Sequence, residues 1–161
     1  MGSLNRIAPF IVLLVLFALL QGALIGMETV QTPASVAAAF AKDYYYLDAD
    51  MQKWLCTGQG DPQAMVDNYL HQKRVEANRR GFKLPYLRHL FTHLHVETRH
   101  VDDAGTVAAV HVRGTTRVGI NPAFMVIGKL FDLGENHEVD ITLDLVRENG
   151  RWRVCQDILA L

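Results

Sequence analysis

Hydrophobic and polar positions divide the chain into an uncharged N-terminal stretch and a longer segment in which the two alternate. Ile7 to Gly26 are twenty residues without a charge, and Gln21 is their one strongly polar side chain. A helix of this length matches the roughly 30 Å hydrocarbon core of a bilayer. Arg6 precedes the stretch, and no Lys or Arg follows before Lys42. The positive-inside rule then predicts a cytoplasmic N-terminus and a membrane anchor that holds the rest of the chain outside the cytoplasm, in a periplasmic or other extracytoplasmic space.

A cleaved signal peptide is the alternative interpretation of this stretch. Signal cleavage requires small residues at positions −3 and −1 of the cut. A cut after Ala23 puts Gln21 at −3, and a cut after Gly26 puts Leu24 there. Under both interpretations residues 1–31 are the anchor or signal with its connector, and residues 32–161 form one domain in the same compartment.

Helical periodicity begins at residue 32. Thr32 followed by Pro33 is typical of an N-cap and a first helical position, and it predicts a helix over 33–46. Asp48 is the predicted cap of a short helix over 49–56, and Asp61-Pro62 repeats the cap and proline before a third helix that ends at Arg80. The apolar side chains that recur at helical spacing in the first helix are Val36, Phe40, Tyr44 and Leu47.

The period changes to two after the third helix, which indicates strands. The predicted strands cover 93–100, 106–113, 115–119 after Gly114, 139–145 and 152–158, with turns at 102–105 and 148–150. Helices followed by an antiparallel meander predict an α+β domain.

Charge and cysteine content narrow the range of functions. Fifteen of the sixteen basic residues and all seventeen acidic residues follow residue 26, so the domain carries a net charge of −2. A nucleic-acid partner is not expected, because phosphate neutralisation needs a concentrated basic surface. The chain has neither a CxxC pair nor a CxxCH motif, which argues against thiol-redox chemistry and c-type haem, and no cofactor is predicted.

The two cysteines, Cys56 and Cys155, lie far apart in the sequence. In an oxidising compartment such a pair is a candidate disulfide. The alternative is two unrelated buried thiols.

Two segments carry a resemblance to a known family. The first is the helix from Val36 to Tyr44 with Leu47-Asp48-Ala49-Asp50, and the second is the closing hairpin from Asp144 to Ile158, which contains Gly-Arg-Trp-Arg-Val. Together they resemble the nuclear transport factor 2-like (NTF2-like) superfamily, including its SnoaL-type members, over roughly residues 33–159. The resemblance implies a cone in which N-terminal helices pack into a curved antiparallel sheet, here preceded by one transmembrane helix.

The resemblance also implies several functions. The superfamily includes isomerases, dehydratases, hydrolases and members without catalysis, so the fold does not assign a reaction. The anchor resembles that of envelope members that act as accessory or assembly modules, and NTF2-like domains often pair through their sheets. We therefore expect a non-enzymatic, membrane-tethered module that serves as an accessory or assembly subunit, or binds a small ligand, in the cell envelope. The alternative is an isomerase or hydratase that uses an Asp or His acid–base group in the cone.

The predicted ligand pocket contains Tyr44, Asp48, His93, His95 and His111. Catalytic members of such families place an Asp or His inside the cone as general base, where burial raises the pKa of a carboxylate. Asp48 also fits the role of a helix cap. The histidines, with His89, could form a facial metal site, but strand faces that mix His, Glu and Arg are ordinarily solvated, and no metal site is predicted.

An apolar run lies between glycines and a proline after the third predicted strand. Exposed apolar patches mark interaction sites, so the run is a candidate for partner docking. The alternative is a segment that covers the mouth of the cone. Its candidate docking residues are Phe124, Met125, Ile127 and Phe131.

Overall fold

The computed structural model describes residues 12–17, 31–118 and 136–161. The chain divides into two units with the boundary between Gln31 and Thr32. In the first unit, residues 12–17 are helical and solvent-exposed. Within the described ranges, none of the helices combines the length and the apolar character that a membrane crossing requires. Most of the stretch from Ile7 to Gly26 lies outside these ranges, so the anchor stays a prediction.

Two α-helices and two 3-10 helices occupy the first half of the domain. Helix α1 spans Pro33–Tyr46 and helix α2 spans Pro62–Arg79, and the 3-10 helices span Ala49–Trp54 and Leu84–Leu87. The segment predicted as a helix over 49–56 is therefore a 3-10 helix that ends two residues earlier. The cause is tertiary, because Leu55 leaves the helix to form a β-bridge with Val154.

Side chains at the helix ends account for the boundaries. Thr32 and Ser35 form a reciprocal capping box at the start of α1, and Leu47 ends that helix in the left-handed region with a φ of 56°. Asp48 accepts a hydrogen bond from the Asp50 N–H at 3.0 Å, and Asp61 accepts one from Gln63 at 3.2 Å. The cap predicted at Asp48 is confirmed.

Within the residues that the structure describes, five antiparallel strands form one sheet. They are β1 His89–Phe91, β2 His95–Val101, β3 Val107–Val118, β4 Asn136–Glu148 and β5 Arg151–Val154. Strand β3 lies between β4 and the pair β1 and β2, and β5 follows β4 at the other edge. Asn149 and Gly150, with φ values of 50° and 79°, make the two-residue turn between β4 and β5.

The longest strand differs from its prediction. The sequence predicts a break at Gly114, but β3 runs through it, because Gly114 pairs with Val139 of β4. The first part of β3 pairs with β2 and its last part pairs with β1. Strand β1 was not predicted, β2 begins two residues later than expected, and β5 ends at Val154 rather than at 158.

The core lies between α1 and one face of the curved sheet, called here the inner face, which carries Val110, Val112 and Leu143. Helix α1 contacts all five strands. Ala37 and Ala41 are fully buried in α1, and small side chains allow the helix backbone to approach the sheet closely. The predicted α+β class, with N-terminal helices on a curved antiparallel sheet, is confirmed.

A disulfide joins Cys56 to Cys155, with 5.1 Å between the two Cα atoms. The Cys56 N–H also donates a hydrogen bond of 2.9 Å to the Val154 carbonyl. These contacts fix the segment after the first 3-10 helix to the end of β5.

Candidate functional site

A cavity of about 670 Å³ opens beside the end of α1. Ligand pockets commonly enclose 300–1,000 Å³, so this volume suits a small molecule. Its walls come from α1, α2, the segment 82–89, the start of β4 and the C-terminal residue. The lining residues used below are Tyr44, Tyr45, Tyr69, Lys73, Glu76, Arg80, Phe82, Tyr86, His89 and His137.

Tyrosines form one wall of the cavity. The rings of Tyr44 and Tyr69 are stacked, with centroids 4.8 Å apart, and Tyr45 meets Tyr44 edge to face at 5.2 Å. The Tyr44 hydroxyl donates a hydrogen bond to the Ile158 carbonyl at 3.2 Å. Burial raises the pKa of both Tyr44 and Tyr69. The two hydroxyls are therefore neutral at physiological pH, and the two side chains are only 6% and 5% exposed, so this part of the wall adds no charge to the cavity.

A charged triad on α2 lies next to this wall. Lys73 Nζ is 3.3 Å from one oxygen of Glu76, and Arg80 Nη2 is 2.7 Å from the other. Lys73 also lies over the Tyr69 ring, 5.8 Å from its centroid. Two cations share one carboxylate, so the triad has a net charge of +1.

Two histidines form the opposite side of the cavity. His89 on β1 and His137 on β4 flank the end of β3, and their rings are stacked with centroids 5.3 Å apart and 9° between planes. Burial lowers the pKa of His89 below its usual 6.5, and His137 and Lys73 lower it further because they repel a second positive charge. His89 is therefore neutral at pH 7.

The residues predicted to share a pocket lie in different places. Tyr44 lines the cavity, whereas Asp48 caps the first 3-10 helix. His93 and His95 are exposed at the β2 edge of the sheet. His111 lies on the face of the sheet opposite the inner face, called here the outer face. Strand alternation explains the difference, because one residue of shift along a strand moves a side chain to the other face.

On the outer face, His111 is 8% exposed and joins a polar network. Its Nδ1 lies 2.9 Å from Arg99 Nη2, and its Nε2 lies 2.5 Å from Asp140 Oδ1. Because a guanidinium has only donors, Nδ1 accepts and Nε2 carries the proton that is donated to Asp140. Arg113 Nε donates to the other Asp140 oxygen at 3.0 Å. Both ring nitrogens are thus engaged, which leaves His111 without a lone pair for general-base catalysis.

The remaining candidates from the sequence are the histidine metal site and the apolar docking residues. Within the described residues no group of three or more His, Cys, Asp or Glu side chains is placed to hold a metal ion. His89 pairs with His137 and not with His93 or His95. The candidate docking residues Phe124, Met125, Ile127 and Phe131 lie outside the described residues, so their role stays a prediction.

Sequence reasoning missed most of the cavity. Tyr69, Lys73, Glu76 and Arg80 follow each other at spacings of four, three and four, which places them on one face of α2. That spacing indicates a shared helix face, but it does not by itself predict that the face lines a cavity. His137 gave no signal, because its contact with His89 depends on the pairing of β1 and β4 with β3.

Comparisons with known proteins find only weak structural similarity to this chain. No protein-family model and no curated protein matches the chain. The intermembrane space region of the chloroplast protein ARC6 is similar in structure, with a TM-score of 0.40 and 10% identity, covering 79% of this chain and 95% of that one. A Xanthomonas campestris protein described as a calcium/calmodulin dependent protein kinase II association domain has a TM-score of 0.40 and 12% identity, covering 74% and 80%. Neither similarity assigns a function.

Proposed function

We propose that this protein is a non-enzymatic NTF2-like module that binds a small amphipathic molecule in its tyrosine-lined cavity, on the extracytoplasmic side of a membrane. The observation that carries the proposal is the cavity itself, about 670 Å³ in volume and walled by ring surfaces beside a few charged groups. Sites for small molecules have this composition, with apolar walls for affinity and a small number of polar groups for orientation.

The NTF2-like assignment is supported by the order and placement of elements. Helices precede the sheet, α1 packs on the inner face, and the closing hairpin of β4 and β5 contains the Gly-Arg-Trp-Arg-Val segment. This is the arrangement that the resemblance implies.

The non-enzymatic assignment is supported by the contacts of the acid–base candidates. Asp48 is used as a cap, and both ring nitrogens of His111 are engaged. Tyr44 holds its proton in a hydrogen bond to a backbone carbonyl, and Glu76 is paired with two cations. A general base needs an available lone pair at the pH of the reaction, and these contacts disfavour the four groups in that role.

The extracytoplasmic location is supported by the disulfide between Cys56 and Cys155, since such bonds persist in oxidising compartments. The uncharged stretch from Ile7 to Gly26 supplies the predicted tether.

Binding of two probe molecules tests the proposed function. 2-Naphthamide and 2-naphthoate have the same ring body, and the full chain in lipid nanodiscs is titrated with each by calorimetry. We expect saturable binding of at least one probe. Tyr86→Ala should weaken it by about three- to tenfold, because a stacking partner at the rim is lost.

Val101→Ala is the matched control, since Val101 is similarly exposed, 42% against 47% for Tyr86, and lies at the end of β2 outside the cavity. Binding that is unaltered in this variant locates the probe in the cavity. Absence of binding by both probes, or equal weakening in the two variants, would contradict the proposed function.

A further inference from the structure

We propose that the cavity selects carboxylate ligands with an apolar ring body, and that each binding event is coupled to proton uptake by His89, which stacks on His137. This inference rests on the proposed function and adds the ligand's charge and its pH dependence.

The charge of α2 provides the first argument. Glu76 is already shared by Lys73 and Arg80, so one positive charge of the triad is uncompensated at the cavity wall. Arg80 is the more exposed cation, 61% against 37% for Lys73, and the Lys73 ammonium, with one hydrogen bond to Glu76, keeps two N–H donors for a ligand. Lys73 is also half-buried, and a partly desolvated cation gains more from an anion than an exposed one does. A single carboxylate therefore complements the triad.

The histidine pair provides the second argument. His89 and His137 face each other, and the charged groups across the cavity from them are Lys73, Glu76 and Arg80 of α2. Lys73 and a charged partner histidine both disfavour protonation of His89. The lining also contains the terminal carboxylate of Leu161 and buried tyrosines, Tyr44, Tyr45 and Tyr69, whose pKa is raised by burial.

A bound carboxylate favours the protonation of His89 that Lys73 otherwise disfavours. It offsets the charge of Lys73 and lies close to the imidazoles, and an adjacent opposite charge favours the protonated form. Protonation and anion binding therefore strengthen each other by linkage. A neutral ligand of the same shape gains nothing from either effect.

The aromatic side chains of the cavity determine the apolar part of the ligand. Tyr44 and Tyr69 are only 6% and 5% exposed, and the Tyr44 hydroxyl donates to the Ile158 carbonyl, so together they form an uncharged part of the wall. Phe82 and Tyr86, whose rings are 6.1 Å apart, extend this surface to the rim. A ring body fits between these walls, with its carboxylate toward Lys73 and the histidines.

Calorimetry with the two naphthalene probes tests the inference on the full chain in nanodiscs at pH 8.0 and pH 5.5. The carboxyl group of 2-naphthoate, with a pKa of about 4, is ionised at both values. We expect 2-naphthoate to bind about tenfold more tightly than 2-naphthamide at pH 5.5. The affinity for 2-naphthoate should rise as the pH falls, by up to about tenfold per pH unit for one linked proton, while that for the amide stays constant. Titrations in buffers of different ionisation enthalpy should report net proton uptake with 2-naphthoate.

Matched substitutions assign the effect to residues. Lys73→Met should reduce the preference for 2-naphthoate over the amide by about tenfold, whereas Lys83→Met, at an exposed lysine outside the cavity, should leave it unchanged. His89→Asn keeps a polar side chain and should reduce proton uptake and flatten the pH dependence. His100→Asn, at an exposed histidine on β2, is its control.

The outcomes separate the two proposals. Equal affinity for both probes would overturn the selection of carboxylates and leave the proposed function standing. A preference for 2-naphthoate without proton uptake would overturn the coupling to His89. Absence of binding by either probe would overturn the proposed function and this inference together.

Discussion

His111 illustrates how the partners of a residue decide its role. In the sequence it is a histidine in a strand, and it was placed with the pocket candidates. In the structure its partners come from the strands on both sides, Arg99 on β2 and Asp140 on β4. No local pattern around position 111 contains this information, because the partners are 12 and 29 residues away.

The residue to test in this network is Asp140. The hydrogen bond from His111 and the ion pair with Arg113 hold the Asp140 pKa below its ordinary value of 3.8. A carboxylate whose pKa is lower in the folded state stabilises the protein above pH 3.8 and loses that effect as the pH falls through the folded-state pKa. We expect Asp140→Asn, which keeps an acceptor for His111 but removes the charge, to lower the melting temperature at pH 7.

The difference between the native chain and Asp140→Asn should shrink toward pH 3. Asp144→Asn is the control, at an exposed aspartate on the same face of β4. Melting curves at pH 7 and pH 3 measure both differences. A melting temperature for Asp140→Asn equal to that of the native chain at pH 7 would show that the network does not stabilise the fold.

At the scale of elements, β3 is the strand that organises the sheet. Two short strands, β1 and β2, both pair with the same edge of β3, and the connection between them passes over Gly114. A Cβ atom at Gly114 would lie 2.7 Å from the His93 carbonyl oxygen and 2.9 Å from the Phe91 ring. The glycine that suggested a break in the sequence is therefore the position where another part of the chain approaches β3 closely.

Gly114→Ala should destabilise the domain by about 1–3 kcal/mol, as overpacking in a close-packed interior does. The strain should fall on the connection between β1 and β2, since the nearest atom is a backbone oxygen that cannot move alone. Gly58→Ala is the control, because a Cβ there meets its nearest neighbour, a Glu148 oxygen, at 3.9 Å. Urea unfolding of the three proteins gives the free energies, and equal values for both variants would argue against the close approach.

At the scale of the whole molecule, the disulfide joins two parts of the domain that lie far apart in sequence. Cys56 and Cys155 are 99 residues apart in sequence and connect the helical half to the last strand. A second link lies next to the disulfide, because the backbone N–H and the hydroxyl of Thr57 both donate hydrogen bonds to the Glu148 carboxylate. The segment that follows the first 3-10 helix is thus held against β4 and the end of β5.

Loss of this bond should lower the free energy of unfolding by about 2–5 kcal/mol, because the unfolded chain regains the freedom of a long loop. Melting curves of the native chain with and without reductant measure the effect, and the Cys56→Ser, Cys155→Ser double variant should be insensitive to reductant. Intact mass spectrometry should show alkylation of the native chain only after reduction. Thiols that react without reductant would contradict the bond.

Sequence by itself determined the elements whose causes are local. The caps at Thr32, Asp48 and Asp61 and the apolar spacing of the helices are contained within a few residues, as is the Asn-Gly turn after β4, and the α+β class follows from their order. Only the tertiary structure decided which residues meet across the fold. In the fold His137 lies beside His89, His111 lies on the outer face, and one side of α2 lines the cavity. The physical reason is that strand register and helix packing bring together residues far apart in sequence, and neither is encoded in the short-range pattern from which a sequence is interpreted.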